Sequence, residues 1–168
     1  MSGTAAETSG NLLCLPIAHL SRRYRFSAFH RLHVDALSAE ENRRTFGKCN
    51  NPRGHGHNYQ VELTLSGPVD PATGMVTNLG DLDSFAQSAM VDLFDQANLN
   101  MLNAFRDRVS TTENLCVEVW RLLSGYPHAR LERVRIEETE KNSFEYFGEG
   151  EARRMRDAGP REDVRSRV

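Results

Sequence analysis

His55-Gly56-His57 places two imidazoles two residues apart, a spacing that on a β-strand sends both side chains to one face and lets them converge on a single divalent cation. The glycine between them leaves room for the ion. His30 lies in the alternating run Tyr24, Phe26, Ala28, His30, Leu32, so it points with the apolar side chains of its own strand and is the natural third ligand. Three histidines leave one position of a tetrahedral zinc open to water or substrate, which is the arrangement of a catalytic rather than a structural site. Taken singly, each motif has a plainer reading, as ordinary strand histidines or a satisfied core imidazole; together they favour metal binding. His33 falls out of register with His30, and His19 and His128 occupy poorly patterned segments.

Cys49 lies in the turn-rich stretch Gly47-Lys48-Cys49-Asn50-Asn51-Pro52, just ahead of the histidine pair. Positive charge from Lys48 and a nearby metal would favour its thiolate and make it a candidate general base; the alternative is a small apolar filler. Cys14 and Cys116 read as inert. Glu138 follows Val134 and Ile136 at intervals of two, so its carboxylate faces inward. That position is costly unless a partner with several donors meets it, either a heterocycle presenting adjacent N–H groups or an arginine or helix end.

Behind these residues stand the elements that must hold them. Alternation predicts strands over Arg22–Leu32 and His57–Ser66, the second with Tyr59, Val61, Leu63 and Leu65 inward, followed by a turn at Pro68–Gly74 and brief pairing at Met75–Val76. A helix starts with Asn78 as cap, carries Leu82, Phe85, Ala89, Met90 and Leu93 on one stripe and ends near Asp95. Ser110-Thr111-Thr112-Glu113 reads as a capping box opening a second helix that buries Leu115, Val119 and Leu122 or Leu123 and stops at Gly125. Strands over Leu131–Thr139 and Ser143–Phe147 complete an α+β order ββααββ.

With 168 residues, 39% of them apolar and 26% charged, the chain fits one domain with a sizeable core. Residues 1–11 read as a flexible leader, 12–149 as the folded domain and 150–168 as a charged, solvated tail. A formal charge of −2 without long runs of one sign argues against nucleic acid or an anionic membrane as partner and for a small, locally charged ligand. Three widely spaced cysteines without a CxxC pair suit a reducing cytosol better than a secreted disulfide scaffold, and no targeting segment is visible.

The stretches Phe26–His33, Phe46–Tyr59, Ser110–Asn114 and Glu138–Asn142, in this order and separation, resemble the 6-pyruvoyl-tetrahydropterin synthase family over about Leu20 to Gly148. The resemblance implies the tunnelling fold: an antiparallel four-stranded sheet with two helices on one face, three subunits closing a twelve-stranded barrel, and two barrels forming a homohexamer. It implies that His30, His55 and His57 hold Zn2+, that Cys49 abstracts a proton, and that Glu138 anchors a pterin ring with Thr111 and Thr112 nearby. The implied reaction is that of a lyase of tetrahydrobiopterin biosynthesis, releasing triphosphate from 7,8-dihydroneopterin triphosphate, with Mg2+ a candidate companion of the triphosphate. One position departs from the family: where an Asp-His pair relays protons to the cysteine, this chain has Asp95 and Gln96. Glutamine does not titrate near neutral pH, which leaves open a slowed synthase, altered side-chain chemistry, or a catalytically silent pterin-binding subunit.

Overall fold

The computed structural model describes residues 15–149; the expected leader and the expected tail, 150–168, lie outside them. The elements are β1 (Ile17–His30), α1 (Ala39–Phe46), β2 (His55–Pro68), α2 (Leu79–Ala86), α3 (Asp92–Phe94), β3 (Ala97–Asn98), α4 (Thr112–Leu123), β4 (Arg130–Thr139) and β5 (Asn142–Tyr146). They form an α+β domain on one mixed five-stranded sheet in the order β3-β1-β2-β4-β5. The expected four long strands are all present and antiparallel. The fifth, β3, is only two residues long and pairs parallel with Ala28 and Phe29 of β1.

Alternation in the long strands does what period two demands. Phe26, Ala28, Tyr59, Val61, Leu63, Leu65, Val134 and Ile136 all point into the core, each large side chain contributing roughly 1.5–3 kcal/mol by leaving water. Leu82, Met90 and Phe94 cover them from one side of the sheet, with Leu115, Val119 and Leu123 of α4. On the opposite side, charged residues pair across strands, as in Arg23–Glu62–Arg133–Glu145.

Several local expectations need correction. The helix capped by Asn78 is not one regular helix: Gln87–Val91 forms a π-turn between α2 and α3. That turn takes an extra residue, so the buried stripe slips from the expected one and Val91 and Phe94 point inward while Leu93 is exposed. Met75–Val76 makes no strand. Helix α4 is capped by Thr111 rather than Ser110, with the Thr111 hydroxyl accepting from the Asn114 amide. Sequence reading passed over α1, although Ser38-Ala39-Glu40-Glu41 is a capping box and forms one here, the Ser38 and Glu41 side chains each bonding the other's backbone N–H.

Helix α1 matters because it delivers Cys49. Buried Asn42 donates to the carbonyls of Val34, Leu37 and Ser38 and accepts from the Val34 amide, which ties α1 to the loop leaving β1. A short 3₁₀ turn, Gly47–Asn50, follows α1 and is latched back to the end of β1 by Leu32 N–H on the Cys49 carbonyl and Asn50 on the Leu32 carbonyl. Gly54 then turns the chain into β2 at φ +67°, where a Cβ would collide with the Phe29 ring and the His30 carbonyl. Only glycine permits this approach.

Candidate metal centre and active site

β1 and β2 run antiparallel with His30 opposite His55 and Ala28 opposite His57. This register puts the three imidazoles on one face, their candidate ligand atoms all within 4.8 Å of one another. His30 is fully buried, and its Nδ1 stands 2.8 Å from the Ser110 carbonyl, which can only accept. Nδ1 therefore carries the proton and Nε2 presents its lone pair inward. Burial lowers the pKa of both His30 and His55, so the neutral, ligating form is favoured.

Inside the trio the polar atoms lack ordinary partners. His30 Nε2 and His55 Nε2 face each other at 3.2 Å, close to the nitrogen separation of about 3.3 Å that tetrahedral Zn–N bonds of ~2.05 Å require. His57 Nε2 and His55 Nδ1 are buried without hydrogen bonds among the described residues. A divalent cation would take one lone pair from each of the three rings, so the donor set fits a metal.

Glu138 stands over this cluster, its Oε1 3.8 Å from His30 Nε2 and 3.7 Å from His57 Nε2. Thr112 donates to Oε1 at 2.7 Å and Asn142 to Oε2 at 3.1 Å. A register shift between Glu137 and Thr139 interrupts β4–β5 pairing at Glu138, which frees its carboxylate to face the site. Cys49 is partly buried; burial first, and then the Glu138 charge, push its thiol pKa up. The expected lowering by Lys48 is thus not what the protein alone provides. Any thiolate here needs further positive charge, which a bound metal would supply.

Asp95 and Gln96 lie apart from this group. Asp95 is exposed and its carboxylate accepts the Ser27 amide, while the Gln96 amide donates to the Ser27 carbonyl. Gln96 holds a left-handed φ of 58° and lines a shallow cleft of about 200 Å³ beside Gly56, His57 and Asn58. Neither residue bonds to Cys49 or Glu138 among the described residues.

The family described as 6-pyruvoyl tetrahydropterin synthase matches residues 19–149. The chain belongs to this family. It is 47% identical over 146 residues to the 6-pyruvoyl tetrahydrobiopterin synthase of Poecilia reticulata, spanning 86% of this chain and 99% of that protein. The Homo sapiens protein of the same name is 50% identical over 134 residues, 79% of this chain and 92% of that one. The solved structure of the Caenorhabditis elegans 6-pyruvoyl tetrahydropterin synthase superposes with a TM-score of 0.75 at 43% identity, covering 80% of this chain and 97% of that chain.

In this family member, then, one site gathers His30, His55, His57, Glu138 and Thr112. Thr111 caps α4. Sequence reading missed two contributors. The Ser110 carbonyl orients His30, a long-range contact no local pattern reveals. Tyr59 continues the alternation of His55 and His57; among the described residues its buried hydroxyl meets no partner in hydrogen-bond geometry, and burial and then Glu138 push its pKa up.

Proposed function

We propose that this protein is a zinc-dependent 6-pyruvoyl-tetrahydropterin synthase, eliminating inorganic triphosphate from 7,8-dihydroneopterin triphosphate in tetrahydrobiopterin synthesis. Relatives at 47–50% identity bear the tetrahydrobiopterin synthase name. The observation that carries the reading is a histidine trio with unmet lone pairs directly beneath an inward carboxylate.

His30, His55 and His57 hold the zinc. When bound, zinc is a Lewis acid that acidifies the substrate's side-chain hydroxyls and the adjoining C–H bonds. Glu138 accepts the pterin's ring N–H groups, its own orientation fixed by Thr112 and Asn142. Cys49 Sγ takes the carbon-bound proton, and triphosphate leaves as a stabilised anion, for which Mg2+ is a suitable counter-ion. Asp95 and Gln96 occupy the positions of the family's relay pair, where glutamine cannot itself carry a proton.

The open edge of β5 and the largely unpaired edge of β1 support the assembly of three copies into a barrel of twelve long strands, doubled into a hexamer. No described helix is long and apolar enough to cross a membrane. A free thiol base suits the cytoplasm.

The test is turnover of 7,8-dihydroneopterin triphosphate by the zinc-loaded protein, with mass spectrometry of the product. Triphosphate release no faster than from a Cys49→Ala control overturns the assignment. Gln96 favours a second reading, in which the same site binds pterin tightly through Glu138 but turns it over differently or not at all; the product mass separates the two.

A further inference from the structure

The chemistry proposed above leaves the Tyr59 hydroxyl, buried beside the histidine trio, without a task. Tyr59 is 1% exposed, and its hydroxyl meets no partner in hydrogen-bond geometry among the described residues. The ring itself packs against Phe26 and His57, with centroids 5.4 Å and 5.6 Å away. A phenylalanine ring would make the same contacts, and a buried hydroxyl without a partner costs stability. Packing therefore accounts for the ring but not for its oxygen. We propose that Tyr59 is a positioning residue for pterin recognition, its hydroxyl donating to Thr112 Oγ1 in the occupied site and so holding Glu138 in the orientation that accepts the ring N–H groups. The proposal rests on the synthase reading above and deepens it.

Strand register brings these groups together. Val61 pairs with Ile136, and Gln60 with Glu137, across β2 and β4. Tyr59 and Glu138 come next on the two strands, one step past the last pair and on the inward side with Val61 and Ile136. Both adjoin His57, the tyrosine through its ring and the glutamate through Oε1, 3.7 Å from His57 Nε2. Thr112 is buried and gives its only hydroxyl proton to Glu138 Oε1 at 2.7 Å, while among the described residues no donor reaches its oxygen. An unused donor on Tyr59 and an unused acceptor on Thr112 thus belong to two neighbours of one carboxylate. Burial, and then the Glu138 charge, keep the phenol protonated, so that it can donate. A donor on Thr112 polarises its hydroxyl and strengthens the bond that Thr112 makes to Glu138.

The experiment uses the zinc-loaded full chain, with 7,8-dihydroneopterin as the binding probe. Y59F should keep its bound metal and be at least as stable to urea as the unaltered protein, since it loses only an unpaired hydroxyl. Its affinity for 7,8-dihydroneopterin should fall about tenfold, the effect of one hydrogen bond. KM for the triphosphate substrate should rise in step, with kcat within about twofold. T112V should also lose affinity, T112S, which keeps the hydroxyl, should not, and Y59F added to T112V should take nothing further because the acceptor has gone. Unchanged affinity in Y59F, a loss of stability in Y59F, or additive losses in the double variant overturns the proposal. Ser110 Oγ is likewise buried without a partner among the described residues; a loss in S110A to which Y59F adds nothing would assign the hydroxyl to that acceptor and overturn the role of Thr112. Failure of the unaltered protein to bind 7,8-dihydroneopterin would overturn the pterin reading itself, whereas binding that is indifferent to Tyr59 overturns the positioning role alone.

Discussion

His30 and His55 sit opposite each other in antiparallel register, and among the described residues their Nε2 atoms, 3.2 Å apart, have only each other within hydrogen-bond distance. His30 has committed its proton to the Ser110 carbonyl, so this contact is a hydrogen bond only where His55 donates from Nε2, whereas a cation between the rings would take both lone pairs. With His57 the candidate ligand atoms all lie within 4.8 Å of one another, which fits a metal centre.

Replacing His30, His55 or His57 singly with alanine should lower bound metal from about one ion per chain to a small fraction, because two ligands rarely hold zinc. Elemental analysis after dialysis checks this. Chelating the metal from the unaltered protein should lower its melting temperature, since ligand binding to the native state adds to stability. Full metal retention in any of the three variants would remove that residue from the centre.

Burial and the Glu138 carboxylate both hold the Cys49 thiol protonated in the metal-free protein. Its alkylation by iodoacetamide, followed by mass mapping, should therefore rise with pH later than for an ordinary thiol. Glu138→Gln removes a negative charge and should move the curve to lower pH. Cys116, whose thiol burial pushes up to about 12, should stay unmodified throughout. An unchanged Cys49 curve in the Glu138 variant would mean that the two groups do not share a cavity.

Gln96 already occupies the left-handed φ of 58°, which histidine adopts more readily than most residues, so Gln96→His should fold without strain. If a titrating group at this position assists Cys49, turnover should rise by about tenfold or more. Equal rates with glutamine and histidine would show that no proton passes through residue 96.

Glu118 is almost fully buried and receives hydrogen bonds from Arg121 and Arg108, which hold its carboxyl below the usual range. A depressed native pKa gives stability that is present above the unfolded value of about 4.3 and is lost as pH falls through the native one. Glu118→Gln should cost roughly 1–3 kcal/mol at neutral pH, the two arginines being partly hydrated once released. The gap between variant and parent should narrow in acid. Urea unfolding at pH 7 and at pH 3.5 tests both parts, and a gap that widens in acid would contradict this ionic role.

Much of the site could be read locally. Alternation alone faces Tyr24, Phe26, Ala28 and His30 one way, and carries His55 and His57 into Tyr59, because side-chain direction on a strand depends only on the parity of position. Glu138 was likewise legible from Val134 and Ile136. Other features were legible but passed over, such as the Ser38–Glu41 capping box that begins α1. The π-turn at Gln87–Val91 was not legible, since it inserts a residue into a pattern that reads as a continuous helix.

The sequence by itself determined which side chains of the long strands face inward and which chemistry they could support. The tertiary structure alone decided that the Ser110 carbonyl, 80 residues away, would fix the tautomer of His30, that Thr112 and Asn142 would aim Glu138, and that Arg31, Arg43 and Lys48 would line one cleft with His55. The division has a physical cause. Periodicity is a property of the local backbone, whereas these contacts depend on strand register, a bulge and a helix cap brought together only by packing.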